Sequence, residues 1–117
     1  YGLSEDQMSR MLRESLENSK DDMENRLLLE ARVDGERMLK AIETALASDG
    51  HLLSTNEYKD IELVLSKIRE IIKTDNRSEI LNQIELCNQA TEEFAAKRMD
   101  RSIKQGLKGK KIKSLES

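Results

Sequence analysis

Side chains able to do covalent or metal chemistry are scarce in this sequence. The single histidine, His51, lies in the polar turn Ser48-Asp49-Gly50-His51 and reads as a surface residue rather than a general base. The single cysteine, Cys87, falls on an apolar helical stripe and reads as core packing. Alone it forms no intrachain disulfide, which suits a reducing compartment. One histidine and one cysteine do not supply the clustered ligands of a zinc site, so no metal is expected. The adjacent acids Asp21-Asp22 and Glu92-Glu93 fit solvated helix faces, and Gly106-Leu107-Lys108-Gly109 lacks the spacing of a phosphate-cradling loop. No catalytic residue is assigned. The residues point to a surface that binds. Methionines Met8, Met11, Met23 and Met38 recur along one helical stretch, and flexible thioethers suit an adaptable binding face.

Composition narrows the partners of such a surface. Proline is absent, aromatics make up 3% of residues and charged side chains 37%, a profile of long exposed helices rather than a β-sandwich or a deep pocket. The net charge of −3 conceals an asymmetry: residues 1–96 balance to −9 and residues 97–117 to +6. The basic end carries no aromatic for base stacking and the remainder is acidic, which argues against nucleic acid. No apolar run approaches the roughly 20 residues needed to span a bilayer, and nothing resembles a signal peptide, so no membrane partner is expected. The chain opens on Tyr1, which suggests an excised part of a longer protein.

The elements that must position this surface are helices. Ser4–Ala47 reads as one helix of 44 residues with a possible bend near 17–22, where the sequence ENSKDD is fully polar. Its start carries a capping box, Ser4 with Gln7, and a hydrophobic staple, Leu3 with Met8. Apolar spacing then runs through Met8, Met11, Leu12, Leu16, Met23, Leu27, Ala31, Met38, Ile42, Ala45 and Leu46. The first few of these and the last few centre on faces rotated by roughly a quarter-turn, counting about 100° per residue. Gly35 is a weak point, costing about 1 kcal/mol relative to alanine. Gly50 suits the left-handed position after a C-cap.

Ser54 with Glu57 makes a second capping box, and the helix it opens runs to about Lys73 on a stripe of Ile61, Val64, Leu65, Ile68, Ile71 and Ile72. Asn76 with Glu79 caps a third helix, whose stripe is Ile80, Leu81, Ile84, Cys87, Thr91, Phe94, Ala95, Met99, Ile103 and Leu107. It either runs unbroken to about Leu107 or splits near 88–92. The expected fold is all-α: a helical arm over 1–26, an antiparallel three-helix bundle over 27–109 and a disordered basic tail over 110–117. An unbroken first helix reaches roughly 66 Å, further than its partners extend, so the arm is left without cover. Its strip of Met8, Met11, Leu12, Leu16 and Met23 is then open to a neighbouring domain or to a second copy as a weak homodimer.

Several stretches carry a resemblance. Gly2-Leu3-Ser4-Glu5-Asp6 opening a helix, Leu28-Leu29-Glu30, and Ala45-Leu46-Ala47 before Leu52-Leu53-Ser54 resemble the C-terminal helical lid of the substrate-binding domain in DnaK-type, seventy-kilodalton heat-shock chaperones. Phe94-Ala95-Ala96-Lys97-Arg98-Met99-Asp100, continuing through Ser102 to Leu107-Lys108-Gly109, is similar to the bacterial branch of that family dedicated to iron–sulfur cluster assembly. The resemblance implies a lid that closes over bound client peptide, packed on its own β-sandwich. It implies a cytoplasmic, bacterial parent protein that binds ATP and Mg, neither of them in this segment, and that hydrolyses ATP where this segment does not. The partners it implies are an iron–sulfur scaffold protein as client and a J-type co-chaperone. Counted from the shared Gly-Leu start, Asp22 and Glu36 fall where related chaperones place acids that latch the lid. Lys40 falls where some have a histidine, a departure at the third latch position. The reading that competes with a lid is a helical adaptor that dimerises through its first helix.

Overall fold

In a computed structural model the chain is described over residues 2–116, with side chains described over 2–108. No strand occurs among the described residues, and the fold is all-α. Helix α1 spans Glu5–Asp49, α2 spans Thr55–Ile71 and α3 spans Arg77–Glu116, with a single 3-10 turn at Gly50–Leu52 between the first two.

Each helix starts where a short polar side chain can satisfy the free N–H groups of the first turn. The Ser4 hydroxyl accepts from the Gln7 backbone N–H at 3.2 Å, and the Gln7 side chain accepts from the Ser4 N–H at 3.0 Å. Ser54 and Glu57 repeat this reciprocal pair for α2 at 3.2 and 3.0 Å. Asn76 accepts from the Glu79 N–H at 3.2 Å to open α3. Between α2 and α3 the Thr74 hydroxyl donates to the Ile71 carbonyl, closing the end of α2.

Buried apolar residues form one core. It comprises Ile42, Ala45 and Leu46 from α1, Ile61, Leu65, Ile68 and Ile72 from α2 and its end, and Cys87 and Phe94 from α3. Ile68, Ile80 and Cys87 are fully buried. The direction of α3 follows from its contacts with α1. Arg32 donates to the Thr74 carbonyl and to Asp75 just before α3, while Asp49, seventeen residues further along α1, is clasped by Arg98 and Arg101 near the other end of the bundle. Both sets of numbers rise together, so α1 and α3 run parallel and α2 runs against them. Glu43 of α1 paired with Arg69 of α2 at 2.7 Å fits that antiparallel crossing. The two outer helices therefore overhang the bundle at opposite ends, and the molecule measures 89 × 39 × 17 Å.

Three expectations change. α1 ends at Asp49 rather than Ala47, and Gly50 lies in the right-handed helical region at φ −55°, not the left-handed one. Glycine is needed there for space: a Cβ would stand 2.9 Å from the Tyr58 ring. α1 is one unbroken helix through residues 17–22, because polar side chains alone do not interrupt backbone hydrogen bonding. α3 neither splits near 88–92 nor stops at Leu107, and its backbone is helical through Glu116 in place of a disordered tail from 110. Gly106 and Gly109 each cost only about 1 kcal/mol, and the lysines beyond them are good helix formers that favour the negative end of the helix dipole. Ser117 lies outside the described residues.

Candidate functional surface

The arm is exposed throughout. Every residue from 3 to 26 is exposed, and Leu27 and Leu28 are the first to be partly covered. Met8, Met11, Leu12, Leu16 and Met23 all lie open, from Met8 at 51% to Leu16 at 71%. At about 100° per residue these five centre roughly a third of a turn from the buried residues Ala31, Gly35, Ile42, Ala45, Leu46 and Asp49. That rotation exceeds the quarter-turn expected. It turns the centre of the strip away from the bundle side, with Leu16 and Met23 at the edge nearer to it.

The strip is longer than the sequence reading made it. Leu29 and Val33 are exposed at 59% and 43%, one turn apart on the same outward side as Met8 and Met11. They lie in a shallow open groove with Arg26, Glu30, Asp34 and Arg37. Sequence reasoning passed over them because the core stripe of α1 was drawn through their neighbours. Their i, i+4 spacing on the continuation of Met11 was the available signal.

Asp22, Glu36 and Lys40 are all exposed. Successive rotations put them within about 40° of each other on one edge of α1, beside Met11 and Leu29. They are not a cluster: Asp22 and Glu36 stand roughly 21 Å apart along the axis. Spread this way they can pair only with a partner lying along the outer face.

Gly35 explains how α1 meets the bundle. Its missing side chain lets Ile72 approach until a Cβ would stand 3.0 Å from Cγ1 and 3.7 Å from Ile80 Cγ2. The glycine read as a weak point is thus where α1 admits side chains of Ile72 and Ile80 close to its backbone.

At the opposite end, Asp49 is buried and accepts from Arg98 Nε at 2.8 Å and from Arg101. The Arg98 hydrogen bond, with help from the positive charge of both guanidinium groups, holds its carboxyl below the usual range despite burial. Arg98 also lies over the Phe94 ring, 5.9 Å from its centre. Next to this cluster, Lys97 donates to both oxygens of Glu57 at 3.1 and 3.0 Å. These contacts tie the end of α1, the start of α2 and the middle of α3 together.

The chemistry-bearing residues stay apart from any such assembly. His51 is exposed in the 3-10 turn. Cys87 is buried, and burial pushes its thiol up, away from the nucleophilic thiolate. Among the described residues no group of three or more His, Cys, Asp or Glu side chains could hold a metal ion. No described helix is long and apolar enough to cross a membrane.

Comparison with known proteins gives the surface a context. Residues 1–100 match the family model described as Hsp70 protein. The chain is 43% identical to the chaperone protein HscA homolog of Cupriavidus metallidurans, 42% to that of Ralstonia pickettii and 38% to that of a Shewanella species. Each alignment covers 98% of this chain but only 18% of the relative, so the chain spans less than a fifth of the length of the proteins it matches.

Proposed function

The chain belongs to the Hsp70 family, and we propose that it is the helical lid of an HscA-like chaperone, closing over client peptide held by a β-sandwich elsewhere in the longer protein. The observation that carries this reading is the arm. Its apolar strip, from Met8 to Met23 and on through Leu29 and Val33, faces away from the bundle with nothing on it. A soluble protein rarely leaves so long an apolar strip uncovered, and a domain joined to the chain is its most economical cover. The strip then packs on the sandwich and over its cleft, while the bundle keeps the lid rigid. In this reading Asp22, Glu36 and Lys40, exposed along the neighbouring edge, latch the closed lid by pairing with loops of the sandwich.

In this reading ATP and Mg act in another domain of the parent protein, and ATP binding and hydrolysis set whether the lid is open or closed. The client is the scaffold protein of iron–sulfur cluster maturation, and a J-type co-chaperone stimulates hydrolysis. The parent acts in the bacterial cytoplasm. Support for this finer part is the name shared by the relatives, each a chaperone protein HscA homolog.

The test fuses residues 1–117 behind a peptide-binding sandwich of this family and follows release of a fluorescent peptide. A lid slows release, and Leu12→Glu/Leu16→Glu restores the rate of the bare sandwich. Equal release with and without the segment defeats the reading. The competing reading, an adaptor dimerising through the strip, draws on the same exposed residues. It predicts that the isolated chain dimerises and that the same double variant makes it monomeric, with no effect on peptide release.

A further inference from the structure

The outward side of α1 carries two apolar sites rather than one band. Met8, Met11, Leu29 and Val33 fall within about 60° of one another around the helix, but Met11 and Leu29 stand roughly 27 Å apart along it. On that line between them lie Ser15, Asn18, Asp22 and Arg26, all polar and all exposed. Leu12, Leu16 and Met23 do not bridge the interval, since they centre roughly 100° round the helix from Leu29 and Val33.

The two sites differ in what stands behind them. Behind Met8 and Met11 the helix is bare, with exposed residues on every side. Behind Leu29 and Val33 it is braced. Ala31 and Gly35, which centre roughly 160° round the helix from them, are buried, and Ile72 and Ile80 close on Gly35. A contact at Met8 restrains a lone helix, whereas a contact at Leu29 and Val33 restrains the bundle with it.

We propose that Leu29 and Val33 are an apolar latch: an apolar side chain from a loop of the β-sandwich seats between them and holds the lid shut. This rests on the lid reading and adds to it a hold that does not depend on charge. The occupant follows from size. Two side chains are far too few to hold a free partner, because stable interfaces bury about 800 Å² on each side. The site works only as an extension of a larger contact on the same side of α1, and the body that covers Met8 and Met11 supplies it. Its chemistry follows from the lining. Leu29 and Val33 sit in a groove with Arg26, Glu30, Asp34 and Arg37, two charges of each sign. Such a rim attracts neither sign in excess, so the occupant is apolar. Exposed charge pairs of the kind open to Asp22, Glu36 and Lys40 contribute little and weaken with salt, whereas apolar burial is not screened.

The sandwich fusion described above, with its fluorescent peptide, tests this at ~50 mM and ~500 mM salt. Leu29→Gln/Val33→Gln places good helix formers at two exposed positions, and circular dichroism and melting temperature check that the bundle is intact. This variant should release peptide at least about fivefold faster than the unaltered fusion at both salt concentrations, because the lost burial is apolar. Leu29→Ile/Val33→Ile keeps the apolar floor and should release peptide at the unaltered rate. If the glutamine variant releases at the unaltered rate in a fusion that still slows release, the latch is overturned and the lid reading stands. Slowing that vanishes at high salt assigns the hold to the charged residues and also overturns the latch. An unaltered segment that slows release at neither salt overturns the lid reading, and the latch with it. An isolated chain that sediments as a dimer and becomes monomeric in the glutamine variant, with peptide release unaffected, gives the site to a second copy and overturns the proposal.

Discussion

Residues 5–26 and 27–49 are halves of one helix, joined without a break, and they live in different surroundings. The second half buries Ala31, Gly35, Ile42, Ala45 and Leu46 and ends on a carboxylate held by two arginines. The first half, of similar length but with eleven charged side chains against eight, buries nothing. Both have apolar residues at helical spacing, so periodicity alone does not separate them. The difference lies in which direction the apolar side faces. In the second half it meets α2 and α3, and in the first it is rotated outward by about a third of a turn. An amphipathic helix is a statement that one face needs cover, and in this chain only half of that cover is supplied by the chain itself.

The largest expected contrast is in stability. Ile68, fully buried in α2, should cost about 2–5 kcal/mol on truncation to alanine, through lost burial and the cavity left behind. Leu12→Ala on the arm, where the side chain is 65% exposed, should change unfolding by less than about 0.5 kcal/mol. Chemical denaturation of both variants measures this. Similar losses for the two would mean that the arm is packed in solution and that the contrast between the halves is false.

Two glycines sharpen the same contrast at smaller scale. Gly106 has nothing within 4 Å of where a Cβ would stand, so Gly106→Ala should gain up to about 1 kcal/mol from helix propensity alone. Gly35→Ala gains the same propensity but drives its methyl to 3.0 Å from the buried Ile72 side chain. Overpacking of a close helix contact costs about 1–3 kcal/mol, so the net effect should be a loss. Thermal melts that show both variants stabilised would mean that α1 sits further from α2 than described.

The smallest effect concerns acid. The Glu57 carboxyl is lowered from an ordinary 4.5 to about 2, first by the Ser54 backbone N–H it accepts from, then by the Lys97 ammonium. A carboxyl depressed in the folded state contributes stability that is complete above its unfolded value and is lost as pH falls through the folded one. Melting temperature should therefore decline from about pH 5 toward pH 2. Glu57→Gln should start lower at neutral pH and decline less over that window. Asp49 is shifted in the same direction by Arg98, so part of the slope should remain. An unchanged slope in Glu57→Gln would detach the capping box from acid stability.

Much of this architecture was legible before any coordinate. Ser4, Ser54 and Asn76 announce the three helix starts because a cap and its partner lie three residues apart. The stripe of α2 names its own buried face, and Ile61, Leu65, Ile68 and Ile72 are where it places them. Other features were not legible. Leu29 and Val33 lie outside the apolar stripe drawn for α1, and the placement of α2 and α3 shows that they face outward. The end of α3 is another: Gly106 and Gly109 look like stops, yet the backbone is helical past both of them to Glu116.

What the sequence determined by itself is local: where helices begin, which face of α2 is apolar, and the opposite charge of the two ends. Each is settled by residues within one or two turns of each other, where spacing dictates contact. What only the tertiary structure decided is how distant turns meet. Asp49 finds Arg98 and Arg101 roughly fifty positions along, Gly50 is glycine because Tyr58 stands against it, and Gly35 admits Ile72. Those contacts depend on the angles at which three helices cross. The crossing angles are set jointly by every buried side chain in the core, and no single stretch contains them.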